Sequence, residues 1–334
     1  MDKESQREHK KMWSTPKLGT IVKLALTALG LVTTWHTFLF YLMYNQRRFL
    51  YHSYYPQLSR AHVMTPEQVG FMAPYRTVWV DCEDGVRLHA FLFYHDDVGS
   101  VVGEGHQQDK QQALKQSKKE KRPTLYWFQG TAGNIGHKLQ QANAIYTRCQ
   151  CNIFLISYRG YGLSNGEPSY RGIQLDTQAG LDYLLRQPEV DPGKIVLFGQ
   201  SLGGAIALDL LARNRDLIMG CIVENTFTDL ITLHRIVFPL FRGLSHMISD
   251  PWDNLASLSQ VGDRYMPPML FLSGRQDQLI PPWMMDKLYE KAKSLARSGT
   301  QIMKKEFPTG RHIFMDILPG YYDAFEEYFR QFQV

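Results

Sequence analysis

Lys194-Ile-Val-Leu-Phe-Gly-Gln-Ser-Leu-Gly-Gly-Ala-Ile-Ala-Leu-Asp-Leu-Leu-Ala212 is the stretch that decides how the rest of the chain is read. Residues 195–198 form a short unbroken apolar run, which suits a strand buried in a parallel sheet. Gly199-Gln-Ser-Leu-Gly203 then sets a glycine two residues to either side of Ser201. Residues 204–212 are apolar nearly all round, as a helix packed on a sheet would be. Strand, sharp turn and helix in that order present a serine at a helix N-terminus, where free N–H groups and the helix dipole favour a developing negative charge. The glycines leave room for the backbone that crowds such a turn. Ser201 is therefore the candidate nucleophile; the alternative is a Gly-Ser turn that only packs helix on sheet. A second match to the same spacing, Gly162-Leu-Ser-Asn-Gly166, has turn residues on both sides and no helix starting at its serine. Ser164 is accordingly read as a loop residue.

The chain has 334 residues, enough for one large α/β domain with additions or two small domains. Apolar content of 44% and charged content of 21% are ordinary for a globular protein. The net charge of +5 is unevenly placed: residues 1–60 hold nine Lys and Arg against three Asp and Glu, and the remainder holds 28 against 29. The basic excess flanks an apolar segment instead of coating the globular part. That points to a membrane boundary and argues against nucleic acid as a partner. Cys82, Cys149, Cys151 and Cys221 have neither zinc-site nor redox spacing and read as buried small hydrophobes.

Residues 1–17 form a basic tail. Residues 24–44 then run 21 positions without a formal charge, about 30 Å of helix. Trp13 lies before this run, and Tyr41, Tyr44, Tyr51, Tyr54 and Tyr55 lie at or beyond its end, like interfacial belts. The run exceeds a signal-peptide core and no small-x-small cleavage site follows it, so 18–44 is expected to be a retained single-pass anchor. Thr27, Thr33, Thr34, His36 and Thr37 are the polar residues within it. Five basic residues before the span and three soon after it lean towards a cytoplasmic N-terminus. An endoplasmic reticulum or plasma membrane location is expected. Residues 45–70 read as a juxtamembrane linker and 71–334 as the main domain. Within that domain, 96–122 is rich in Gln, Lys, Gly and acids and reads as a disordered loop insertion.

A hairpin over 76–94 precedes a regular alternation of strands and helices. Strands are expected at 124–128, 153–157, 195–198, 221–223, 269–272 and 302–307, with helices at 137–148, 171–186, 204–212, 282–296 and 321–332. Such alternation gives a mostly parallel sheet with right-handed crossovers and helices on both faces. The region 225–267 is too long for an ordinary loop. It carries Ile231, Ile236, Val237, Phe238, Leu240, Phe241 and Leu244, interrupted by Pro239. It reads equally as a cap over an acyl-binding cleft and as helical material completing the core.

A serine hydroxyl needs a histidine to take its proton and a carboxylate to orient that histidine. In a sheet of this kind the chain order is serine, acid, histidine, each at the carboxyl end of a strand. Of eleven histidines, only His312 follows a suitable acid-bearing strand. Asp277, just after the strand at 269–272, is the favoured acid over Asp250, Asp253 and Asp263, because a strand-end loop holds a carboxylate more rigidly than a cap. The backbone N–H groups of Leu202 and Thr131 are the expected donors to an oxyanion.

These residues resemble the serine α/β-hydrolase family, in its membrane-anchored bud-emergence (Bem) type. The likeness rests on Gln129-Gly-Thr-Ala-Gly-Asn-Ile-Gly-His137, Tyr158-Arg-Gly-Tyr-Gly-Leu-Ser164, Gly199-Gln-Ser-Leu-Gly-Gly204, Glu224-Asn-Thr-Phe-Thr228, Trp252-Asp-Asn254 and Phe271-Leu-Ser-Gly274 with Asp277. It covers most of the chain from about Arg47. The resemblance implies an α/β-hydrolase fold preceded by one transmembrane helix; the helical cap insertion at 225–267 is expected from the residues of that region. The resemblance also implies a triad at Ser201, Asp277 and His312, and hydrolysis of carboxylic esters or thioesters. Such a triad mechanism calls for no metal or cofactor. The family usually has His-Gly where this chain has Gln129-Gly130, and often His-Asn-Asp where it has His312-Ile-Phe-Met. Expected partners are the lipid bilayer, through the N-terminal helix, and an acyl ester or thioester substrate of lipid character. The competing readings are a non-catalytic membrane-tethered scaffold and a serine peptidase.

Overall fold

The computed structural model describes residues 18–95, 121–262 and 266–332. The basic tail 1–17, nearly all of the insertion expected at 96–122, and Asp263 lie outside the described residues. The chain divides into two compact units, Met1–Gln46 and Arg47–Val334.

The first unit contributes most of helix α1 (Leu18–Leu50), which is long and apolar enough to cross a membrane. The five polar residues of its uncharged run are bonded within the helix. Thr27, Thr33, Thr34 and Thr37 each donate a hydroxyl to the carbonyl four residues back at 2.8–2.9 Å, and His36 Nδ1 lies 2.7 Å from the Val32 carbonyl oxygen. Back-bonding of this kind removes the cost of a bare hydroxyl in hydrocarbon.

The second unit is built on strands β1 (Tyr75–Asp81), β2 (Arg87–Phe93), β3 (Thr124–Phe128), β4 (Asn152–Ile156), β5 (Ile195–Gln200), β6 (Gly220–Glu224), β7 (Met269–Gly274) and β8 (Ile302–Phe307). Their order across the sheet is β1-β2-β4-β3-β5-β6-β7-β8. β2 pairs antiparallel with both β1 and β4, and from β4 to β8 every pairing is parallel. The sequence explains which strands are central. β3, β4 and β6 are buried along their whole length, whereas β1 and β8 at the edges alternate or face solvent.

Both faces of the sheet are covered. On one side lie α3 (Tyr170–Leu185), α4 (Leu202–Asn214) and α7 (Pro282–Leu295), packing Leu181, Leu208, Leu211 and Met284 against Tyr126, Phe154 and Leu197. On the other lie α2 (Leu139–Cys149) and α8 (Tyr321–Arg330), packing Ile145 and Phe325 against Trp127 and Phe198. All four cysteines are free and buried.

The stretch expected to be a linker is held against the body from Tyr51 onward. Tyr51 and Ser59 are buried, Asn134 Nδ2 donates to the carbonyls of Ser59 and His62 at 2.9 and 2.8 Å, and Arg60 Nη1 donates to those of Gly162 and Ser164. Tyr51 and Val63 also join the hydrophobic core, but hydrophobic periodicity does not reveal the polar part of this attachment, whose acceptors are backbone carbonyls. The region 225–267 divides between its two readings. Residues 225–228 and α6 (Asn254–Gly262) complete the core, with Leu258 and Val261 fully buried. Between them, α5 (Leu230–Val237) and the 3₁₀ segment Pro239–Met247 stand outward, and Leu240 is 93% exposed.

Candidate active site

Ser201 sits between β5 and α4 at φ 55°, ψ −122°, a conformation that costs a non-glycine residue roughly 1–3 kcal/mol. Its neighbours hold it there. The Ser201 N–H donates to the Glu224 carbonyl at 2.8 Å, and the Thr226 hydroxyl donates to the Ser201 carbonyl at 2.7 Å. A Cβ on Gly199 would stand 2.0 Å from the Gly203 carbonyl oxygen. The glycines of the turn are thus required by space.

Asp277 follows β7 and is fixed at both carboxylate oxygens. Oδ1 accepts from the N–H groups of Leu279 and Ile280 at 2.8 and 2.9 Å. Oδ2 lies 2.7 Å from His312 Nδ1, in the loop after β8, and His312 Nε2 lies 3.1 Å from Ser201 Oγ. The Asp277 side chain is 1% exposed and that of His312 11%. A proton on Nδ1 facing the carboxylate leaves Nε2 free to accept the serine hydroxyl proton. The structure therefore brings Ser201, His312 and Asp277 into one hydrogen-bonded line. The rival acids are engaged elsewhere: Asp250 with Arg47, and Asp253 at the start of α6, where Oδ1 accepts from Ala256 N–H.

The loop after β3 lies against the serine. A Cβ on Gly130 would be 3.6 Å from Ser201 Cβ and 3.5 Å from the Gln200 carbonyl oxygen. Tyr158 and Tyr161 donate their phenols to the carbonyls of Gln129 and Thr131, each at 2.9 Å, which fixes the path of this loop. Leu202 is the first residue of α4, so its N–H has no carbonyl one turn back in the helix. Ser164 is remote in role. Buried, it donates its hydroxyl to the Ser157 carbonyl at 2.7 Å and accepts from His89 N–H at 2.9 Å, tying the loop after β4 to β2.

Several residues around the site were not singled out by sequence reasoning. Gln200 Nε2 donates to the His312 carbonyl at 3.2 Å, and Asn225 reaches the same loop. Glu224 is buried with the Tyr321 hydroxyl donating to Oε2 at 2.5 Å. Burial pushes the Glu224 carboxyl up to about 7, against the Tyr321 hydrogen bond and the positive charge of nearby Lys138, which hold it down. Glu224 and Asn225 have only the string Glu224-Asn-Thr-Phe-Thr228 as a sequence signal, and Gln200 only its place in the turn Gly199-Gln-Ser-Leu-Gly203. Among the described residues, no group of three or more His, Cys, Asp or Glu is placed to hold a metal ion.

Comparison with solved structures defines the class. An esterase of Pyrococcus furiosus superposes with a TM-score of 0.59 at 17% identity, covering 81% of this chain and 96% of that one. An esterase of Pyrobaculum calidifontis gives 0.52 at 14% identity, covering 77% and 82%. Sheet order, serine turn and these neighbours define an α/β-hydrolase fold. Among sequences, the prolyl oligopeptidase family matches residues 172–329. The chain is 33% identical to α/β-hydrolase domain-containing protein WAV2 of Arabidopsis thaliana over 80% of this chain and 81% of that protein. It is 36% identical to the protein bem46 of Schizosaccharomyces pombe over 73% and 74%, and 30% identical to an uncharacterized membrane protein of Saccharomyces cerevisiae over 95% and 97%. The chain belongs to the Bem46-type α/β-hydrolase family.

Proposed function

We propose that the protein is a membrane-anchored serine hydrolase that cleaves carboxylic esters or thioesters through an acyl-enzyme. The observation that carries this reading is the line from Asp277 Oδ2 to His312 Nδ1 at 2.7 Å and from His312 Nε2 to Ser201 Oγ at 3.1 Å. Ser201 Oγ attacks the acyl carbonyl as its proton passes to His312 Nε2, and Asp277 stabilises the imidazolium. The Thr131 and Leu202 amides receive the negative oxygen of the tetrahedral intermediate. Collapse breaks the acyl bond, and His312 returns the proton to the departing alkoxide or thiolate. A water molecule, deprotonated by the same imidazole, then releases the carboxylic acid and restores Ser201.

A lipid or long-chain acyl substrate is favoured by the apolar side chains in the segments that follow the carboxyl ends of the strands. Phe238, Leu240, Leu279, Ile313, Phe314 and Ile317 are all exposed, and all lie in segments that follow the carboxyl ends of β6, β7 and β8. Soluble proteins rarely gather large apolar side chains at one edge without a partner for them. The anchor in this reading is α1, with the N-terminus cytoplasmic. The prolyl oligopeptidase match supports amide bonds as a second class of substrate, since the same three groups serve both.

Labelling with a fluorophosphonate in detergent tests the reading. Wild type and Ser164→Ala should label and Ser201→Ala should not, with Ser201→Ala losing roughly 10³-fold or more in turnover. Folded wild type that fails to label would favour the scaffold reading. Turnover of short soluble esters without any lipid ester would remove the lipid assignment, and preference for peptides would replace it.

A further inference from the structure

We propose that Asn225 is a positioning residue that holds the His312 loop in register with Asp277 and Ser201; this rests on the serine hydrolase reading above. Asn225 lies one residue beyond β6 at φ 43°, a left-handed conformation that asparagine tolerates better than other non-glycine residues. It is buried, and its N–H, side-chain oxygen and side-chain nitrogen each have a distinct task. Its N–H donates to the Leu272 carbonyl in β7 at 3.1 Å. Its side-chain oxygen accepts from Gly274 N–H at 2.8 Å, at the end of the strand that leads to Asp277. Its side-chain nitrogen donates to the carbonyls of Arg311 and His312, at 2.9 and 3.4 Å.

One amide thus joins the acid-bearing loop to the histidine-bearing loop, independently of the contact between the two side chains. The residues on either side act on the serine, since the Glu224 carbonyl accepts from Ser201 N–H and the Thr226 hydroxyl donates to the Ser201 carbonyl. Asn254 Nδ2 in turn donates to Thr226 Oγ1 at 3.2 Å and to the Phe227 carbonyl. Residues 224–226 therefore bond to the segments that carry all three side chains. His312 has no strand of its own at this point. Backbone bonds from Arg275 and Gln276 N–H to the Phe307 and Gly310 carbonyls hold the start of its loop, and Asn225 and Gln200 Nε2 hold the carbonyls at Arg311 and His312 themselves. Reacting groups displaced by about 1 Å lose on the order of 10²-fold in rate.

Two variants of the full-length protein test this. Asn225→Gly keeps the backbone conformation and removes the side chain. Asn225→Asp keeps the acceptor for Gly274 N–H but turns a carboxylate oxygen towards two carbonyl oxygens. Both should lower kcat and the fluorophosphonate labelling rate by about 10²-fold. KM should stay within about threefold of wild type, and hydrogen exchange should accelerate in the peptide spanning residues 308–318. A labelling rate and kcat within about threefold of wild type in both variants would overturn the assignment. Should wild type itself not label, the hydrolase reading fails, and exchange at 308–318 alone decides: faster exchange in both variants supports the positioning role, and unchanged exchange overturns it.

Discussion

Gly203 and Phe128 approach so closely that a Cβ built on the glycine would stand 2.1 Å from the Phe128 carbonyl oxygen. This contact, between the start of α4 and the end of β3, sets how near the helix N-terminus comes to the loop carrying Gly130 and Thr131. The obstacle is backbone, so a side chain cannot swing away from it. Gly203→Ala should force the helix off the sheet, lower the thermal midpoint by many degrees or prevent folding, and abolish serine labelling. A Gly203→Ala protein with a wild-type melting curve would show that the turn is looser than described.

Much of this arrangement is legible in the sequence. β3 and β8 have the bounds expected of them, and the strand, turn and helix around Ser201 declare themselves by apolar run, glycine spacing and an Ala/Leu-rich helix. Asp277 and His312 follow from chain order, because few acids and one histidine stand in the right place. What the sequence hides is held by long-range polar bonds. Asn225 meets Arg311, 86 residues away, and Tyr321 meets Glu224, 97 residues away, with no periodicity to announce either. The polar bonds that attach residues 51–70 are hidden for the same reason.

Replacing Asp277 by asparagine separates geometry from charge. In Asp277→Asn the amide would still offer an oxygen to Leu279 and Ile280 N–H, so the turn should survive and the melting curve should change little. The imidazole loses the partner that fixes a proton on Nδ1. In the proposed mechanism turnover should fall by about 10⁴-fold. Steady-state kinetics on a chromogenic ester measures this, and retention of a tenth of wild-type turnover would assign the acid elsewhere.

Ser164 fits the same sequence pattern as Ser201 but has a different consequence when removed. Ser164→Ala leaves the His89 N–H and the Ser157 carbonyl without their bonds to this hydroxyl in a buried site. The expected loss of stability is about 1–3 kcal/mol, with labelling intact. Chemical denaturation checks the first and a fluorophosphonate gel the second. Loss of labelling in a folded Ser164→Ala protein would count against Ser201 as the sole reactive serine.

Glu224 gives the fold a pH dependence that Glu224→Gln should remove. Burial raises its carboxyl from the ordinary 4.5 to about 7 in the folded chain. A group whose folded value lies above its unfolded value binds its proton more tightly when folded. Its stabilising contribution is complete below pH 4.5 and is lost as pH rises through 7. Over that window wild type should lose up to about 3 kcal/mol relative to a variant that stays neutral. Glutamine can still accept the Tyr321 hydroxyl, so the comparison isolates charge. Lys138 loses an opposing charge in the variant, which reduces the advantage at high pH without changing its sign. Unfolding free energies across about pH 4.5 to 8 should converge or cross, with the variant gaining on wild type as pH rises. Parallel curves would mean that Glu224 is ionised throughout, with Lys138 offsetting the cost of its burial.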